Sequence, residues 1–305
     1  METNSKILKE IDDAISSGKY KVADLNMFNI INELKISEDL VGHLEYTEEL
    51  LIEYLNKIFE LKDTVPGLKE YLASIKAGDI VDNHSLEKEN SFLIGLHMQL
   101  SNETAIDKLI RYNKEGKNLT KEELCNIHST LLNGTSSDRN NSVRDKNNKF
   151  VGSFVNGTRI IDYFPMDYRE IDEALIKMTN LYNNRLLDKN FDNIFFQPFL
   201  IHGLFGALQM FYDGNTRMGR LMQHVLIWKL INEKTDYQFD SPPIYATRNY
   251  YPFREEYRKL ISDLVKNNNN EAWNNWFEFN LRRIEDQIYK NNENIAFLKR
   301  RIKKR

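Results

Sequence analysis

The segment Tyr212-Asp213-Gly214-Asn215-Thr216-Arg217, with Arg220 three residues on, gathers a carboxylate, a glycine, a helix-capping residue type and two guanidinium groups into one short stretch. Asn215 can cap a following helix, whose first N–H groups and positive dipole end then face the loop. Such a helix start is an anion site, and phosphate is the usual anion. Arg217 and Arg220 share one helical face, so both forks can reach the same polyphosphate. Asp213 is placed to hold a Mg²⁺ that bridges that phosphate chain. Gln209 stands just before the loop, facing whatever group approaches.

The elements that must position these residues are helical. Phe199 to Ile231 reads as two helices, apolar on nearly every face and joined at the polar loop, which belong in the middle of a domain. Leu50, Leu51, Tyr54, Leu55, Ile58 and Phe59 form an amphipathic stripe in an N-terminal helical region. Thr120 with Glu123 is a capping box that opens a helix carrying Leu124, Ile127, His128, Leu131 and Leu132. A further helix is expected from about Asp167 to Asn183. Phe150 to Tyr163 alternates and turns on Asn156-Gly157, a strong hairpin signal. One hairpin alone is marginal in water and must lie against the helices.

Composition excludes several classes. With 42 basic and 45 acidic residues the net charge is −3, which argues against bulk attraction to nucleic acid or membrane. The single Cys125 excludes a disulfide framework, and the six histidines lack zinc spacing. The N-terminus has no apolar signal core and no apolar run reaches spanning length, so a cytoplasmic location is expected.

Residues 209 to 220 resemble the Fic (Fido) family, whose motif is HPFx(D/E)GNGRxxR; here it reads Gln209, Met210, Phe211, Tyr212, Asp213, Gly214, Asn215, Thr216, Arg217, Met218, Gly219, Arg220. The resemblance implies a mostly helical Fic fold with one β-hairpin flap. It implies AMP transfer from Mg-ATP to a Ser, Thr or Tyr hydroxyl of a target protein. Asp213 would ligate Mg²⁺, Gly214, Asn215, Thr216 and Gly219 would lie along the nucleotide, and Arg217 and Arg220 would clamp the β- and γ-phosphates. The flap, Phe154, Val155, Asn156, Gly157, Thr158, Arg159 and Ile160, would pair with the target by strand addition. Gln209 occupies the place of the motif histidine; an amide can orient a hydroxyl but cannot take its proton, so weak or absent activity is expected. Two alternatives stay open: a non-catalytic nucleotide-dependent binding protein, and transfer of another phosphate-linked group such as phosphoryl or UMP. Residues 90–95, with Ile94 where a glutamate would stand, match the family's inhibitory helix only loosely. The expected organisation is an N-terminal helical region over 1–75, a Fic-like domain over 76–290 and a basic C-terminal tail over 291–305. His202, about two helical turns before Gln209, is read as structural.

Overall fold

A computed structural model of the protein describes residues 13, 16–61, 63–65, 68, 70–73, 104–134, 142–155, 158–186, 192–236 and 238–302. The loosely matched segment 90–95, Ile94 included, and the turn residues Asn156 and Gly157 lie outside them. In chain order the main elements are α1 (Glu38–Leu61), α2 (Lys121–Leu132), β1 (Val151–Val155), β2 (Thr158–Tyr163), α3 (Ile171–Asn183), α4 (Phe196–Leu208), α5 (Asn215–Lys234), α6 (Arg254–Asn267) and α7 (Asn270–Ile302). The fold is mostly helical with one two-stranded antiparallel sheet, as expected.

The two helices expected to be central are. α4 and α5 pack on each other, and α3, α6 and α7 pack around α4. Every α4 residue from Gln197 to Leu208 is buried, as an all-round apolar helix requires. Trp273 and Trp276 of α7 are fully buried, and Trp276 Nε1 donates to Phe199 O at 2.9 Å, which satisfies the indole where water is excluded.

Local signals set the element ends. Thr120 caps α2 by accepting from Glu123 N–H at 3.2 Å. The helix expected from Asp167 begins with a 3₁₀ turn, Tyr168–Glu170, capped by Asp167, before α3 proper. In the hairpin, Phe154 pairs with Arg159 and Val155 with Thr158, and β2 packs on α6. The end of β2 also meets the N-terminal segment, where Phe164 N–H donates to Lys21 O and Ala23 N–H donates to Phe164 O, both at 2.9 Å.

α1 lies along α7 through a polar seam: His43 bridges Glu278 and Glu285 at 2.8 and 2.7 Å, and Asn291 Nδ2 donates to Tyr54 Oη at 2.9 Å. Residues of α1 and α7 belong to one continuous core. The tail expected from residue 291 starts inside α7, with Asn291 and Ile295 fully buried. Among the described residues, no helix is long and apolar enough to cross a membrane.

Two predictions concern this core. A Cβ at Gly203 would lie 2.9 Å from Trp273 Cζ3 and 3.0 Å from Trp276 Nε1. Neither ring can yield, so Gly203→Ala should destabilise the fold by about 1–3 kcal/mol, read as a lower urea midpoint at unchanged slope.

The second concerns pH. Burial, then the Arg220 charge, pushes the His224 imidazole down to about 3, and its Nε2 accepts from Ala246 N–H at 3.2 Å. The folded state therefore refuses a proton that the unfolded chain takes up below about 6.5. The stability His224 contributes is intact above that value and is lost as pH falls toward about 3, at roughly 1.4 kcal/mol per unit. Urea melts from pH 7 to pH 4 should show a shallower decline for His224→Gln, whose amide oxygen can still accept from Ala246 but has no proton to gain.

Candidate functional site

α4 ends at Gln209, which adopts left-handed backbone at φ 52°, ψ 52°, a conformation that costs a non-glycine residue about 1–2 kcal/mol. The chain then crosses to α5 through Gly214, also left-handed at φ 75°. Gly214 is confined as well as twisted, because a Cβ there would stand 2.9 Å from Leu132 Cδ2 and 3.0 Å from His128 Nε2. His128, fully buried and stacked on Phe211 with ring centroids 3.7 Å apart, bonds Asp213 O through Nε2 at 2.8 Å. His128 therefore holds the loop from below.

The helix start differs from expectation. Gly214, not Asn215, is the N-cap of α5, and no side chain caps it. Asn215 turns back into the loop: its Oδ1 accepts from Phe211 N–H at 2.9 Å, and its Nδ2 donates to Phe211 O at 2.8 Å and to Gln209 Oε1 at 3.3 Å. The asparagine thus pins the loop, and Gly214, Asn215 and Thr216 at the start of α5 line the cavity. The first intrahelical bond there is Met218 N–H to Gly214 O at 2.9 Å.

The cavity brings together much of what the sequence singled out. Gln209, Asp213, Gly214, Asn215, Thr216 and Arg220 line it, facing Lys149, Gly152, Asp162 and Tyr163 of the hairpin region and Arg254, Tyr257 and Arg258 of α6. Arg217 does not line it. Its side chain is 1% exposed and its Nη2 lies 3.3 Å from Oδ1 of Asp213, in the loop just before the helix. Gly219 is also away from the cavity: it lets α5 approach α4, since a Cβ would meet His202 Cδ2 at 2.9 Å and His202 O at 3.1 Å. Of the flap residues, Phe154 and Val155 of β1 pair with Arg159 and Thr158 of β2, and Ile160 pairs with Ser153.

Arg220, 1% exposed, is held from behind by a directed chain. Its Nη1 donates to Tyr257 Oη at 3.2 Å. Burial, then the Arg220 charge, holds the His202 imidazole well below its usual value and so neutral, and its Nε2 accepts from Tyr257 Oη at 2.8 Å. Its Nδ1 donates to Gln223 Oε1, Gln223 Nε2 donates to Tyr250 Oη at 3.2 Å, and Tyr250 donates to Asn280 Oδ1 at 2.7 Å. His202 is structural, as expected, and its structure serves the arginine.

Asp213 is the residue that could carry a metal. Its side chain is 42% exposed at the cavity rim, with Oδ1 accepting from Gly214 N–H at 2.6 Å. Among the described residues no group of three or more His, Cys, Asp or Glu could cage a cation. Of the two carboxylates among the described residues that line the cavity, Asp162 lies 3.6 Å from Lys266 Nζ, and Asp213 is the one at the loop; a site with so few carboxylates suits Mg²⁺, which keeps most of its waters.

Arg144 and Lys149 were missed by sequence reading. Arg144 is buried; Nε donates to Gln209 O at 2.7 Å, Nη2 to Met166 O at 2.5 Å, and its own N–H to Met210 O at 3.1 Å. Burial pushes its guanidinium down to about 10. Lys149 Nζ donates to Gln209 Oε1 at 2.8 Å and to Tyr212 O at 3.0 Å. Neither stands at an informative spacing from the loop. Arg254, Tyr257 and Arg258, at i, i+3 and i+4 on one helix face, did carry a readable signal.

Residues 118–227 match the family model described as Fic/DOC family. No curated protein matches the chain. Among solved structures, a Fic family protein from Desulfovibrio desulfuricans G20 shares the fold at a TM-score of 0.59 and 14% identity, over 85% of this chain and 76% of that one. Fic-1 (residues 134–508) from C. elegans aligns at 14% identity over 96% of this chain and 72% of that one, with a TM-score of 0.44, too low to bear on the fold. The family-model match over the segment that carries the loop and the hairpin, together with the fold shared with the Desulfovibrio protein, supports a Fic domain in this chain.

Proposed function

We propose that the chain binds a nucleoside triphosphate with Mg²⁺ and belongs in activity with the protein adenylyltransferases, transferring AMP slowly to a hydroxyl of a target protein. One observation carries this reading: Asp213, the first turn of α5 and Arg220 converge on one cavity beside the hairpin. Phosphate oxygens suit the helix start, and Arg220 contributes a guanidinium already aimed by Tyr257. Arg217 acts through Asp213, holding its carboxylate at the rim. Asp213 would hold a Mg²⁺, whose charge would offset that of the phosphates. The target segment would add along the hairpin.

In the transfer, the target hydroxyl oxygen bonds to the α-phosphorus as the bond to the β-phosphate oxygen breaks, and pyrophosphate leaves. The hydroxyl proton passes to water, because an amide cannot take it. Loss of a general base costs about 10²–10⁴ in rate, whereas positioning and charge stabilisation remain. The Gln209 amide oxygen also has both lone pairs occupied, by Lys149 and Asn215, so it is not poised to orient an incoming hydroxyl. That observation favours a second reading, a nucleotide-dependent binding protein whose hairpin recognises a partner without transfer.

One experiment tests the nucleotide site that both readings share, and a second separates them. Calorimetry should detect Mg-ATP binding, and Arg220→Ala should weaken it about 10- to 100-fold, the worth of a charge-assisted bond to phosphate; unchanged affinity would remove Arg220 from the phosphate site. Intact-mass measurement after incubation with Mg-ATP should show an adduct of one AMP on Gln209→His, formed about 10²–10⁴ faster than on the unaltered chain. If the histidine form binds Mg-ATP and stays unmodified with ATP, UTP and GTP alike, the transferase reading fails and the binding protein stands.

A further inference from the structure

The place of the motif base is filled by a pair, Gln209 with Lys149. The Gln209 amide can sit only one way round: its Nε2 donates to Gly206 O at 2.7 Å, while its Oε1 faces the donors Lys149 Nζ at 2.8 Å and Asn215 Nδ2 at 3.3 Å. Flipping the amide would set NH₂ against two donors and oxygen against a carbonyl. An amide oxygen has two acceptor sites, and both are used. Lys149 Nζ has a second carbonyl, Tyr212 O, at 3.0 Å. Both carbonyls belong to the loop that carries Asp213, so the ammonium is fixed relative to that loop although Lys149 lies 60 residues away in sequence. Lys149 lines the same cavity as Asp213, Gly214, Thr216 and Arg220, so the ammonium that these two carbonyls orient belongs to the wall of that cavity.

We infer that Lys149 is a phosphate-binding cation of this cavity and that Gln209 is its positioning residue, the amide having exchanged proton transfer for the holding of a positive charge. The ligand class is the phosphoryl oxygens of a nucleoside polyphosphate, so the inference rests on the nucleotide reading above. A histidine at 209 would present one lone pair where the glutamine presents two, and would hold Lys149 less firmly.

The test is calorimetric titration of the full chain with Mg-ATP, each variant first checked for an unchanged thermal midpoint. Lys149→Met should weaken Mg-ATP about 10- to 100-fold, and Lys149→Arg, which keeps the charge, should stay within about tenfold of the unaltered chain. Gln209→Leu should weaken binding in the same direction but less. In the double variant, Gln209→Leu should add nothing to Lys149→Met, because its only route to the ligand is through the lysine. Equal Mg-ATP affinity for Lys149→Met and the unaltered chain would overturn the inference while leaving the nucleotide reading in place. Additive losses in the double variant would overturn the role given to Gln209. If the unaltered chain does not bind Mg-ATP at all, the nucleotide reading itself fails and this inference falls with it.

Discussion

Close approach of α4 and α5 is the constraint on which the rest depends. Two helices this apolar must be covered on every side, and α3, α6 and α7 do the covering. Gly219 lets the backbone of α5 come up against His202. The turn between them is short, and the chain reverses through two left-handed residues, Gln209 and Gly214. The polar loop is therefore the by-product of burying its neighbours. Its shape is set by side chains reaching in from His128, Arg144 and Asn215, none of which faces a ligand by necessity.

Arg220 shows how burial and function are reconciled. A guanidinium this deep needs partners, and it has Tyr257, which leans on a neutral His202 that leans on Gln223. Each donor in the series meets an acceptor, and Tyr257, His202 and Gln223 are all neutral groups.

The helices, the hairpin and the identity of the loop residues were legible because their signals are local: apolar period, the Thr120 cap, alternation around an Asn-Gly pair, and a dense set of charged and turn residues. Asn215 was misread as the cap because capping preference is a property of residue type, whereas its actual role follows from the left-handed turn at Gln209, which places its amide beneath Phe211. Arg217 shares the face with Arg220 that its spacing gives, yet pairs with Asp213 instead of the cavity. Lys149 and Arg144 could not be read at all, since only the folded chain brings them against Gln209.

The seam between α1 and α7 joins residues more than 230 positions apart, His43 to Glu278 and Glu285, Lys57 to Asn292 and Tyr54 to Asn291. During synthesis α1 leaves the ribosome with its apolar stripe made and its partner not yet translated. Contacts of such sequence separation are won late, after the entropy of closing a long loop has been met. The central helices and the cavity can associate earlier from nearby sequence, so the polar seam acts as the last clasp: until α7 is complete, Leu44, Leu51 and Leu55 are the exposed surface a chaperone would find.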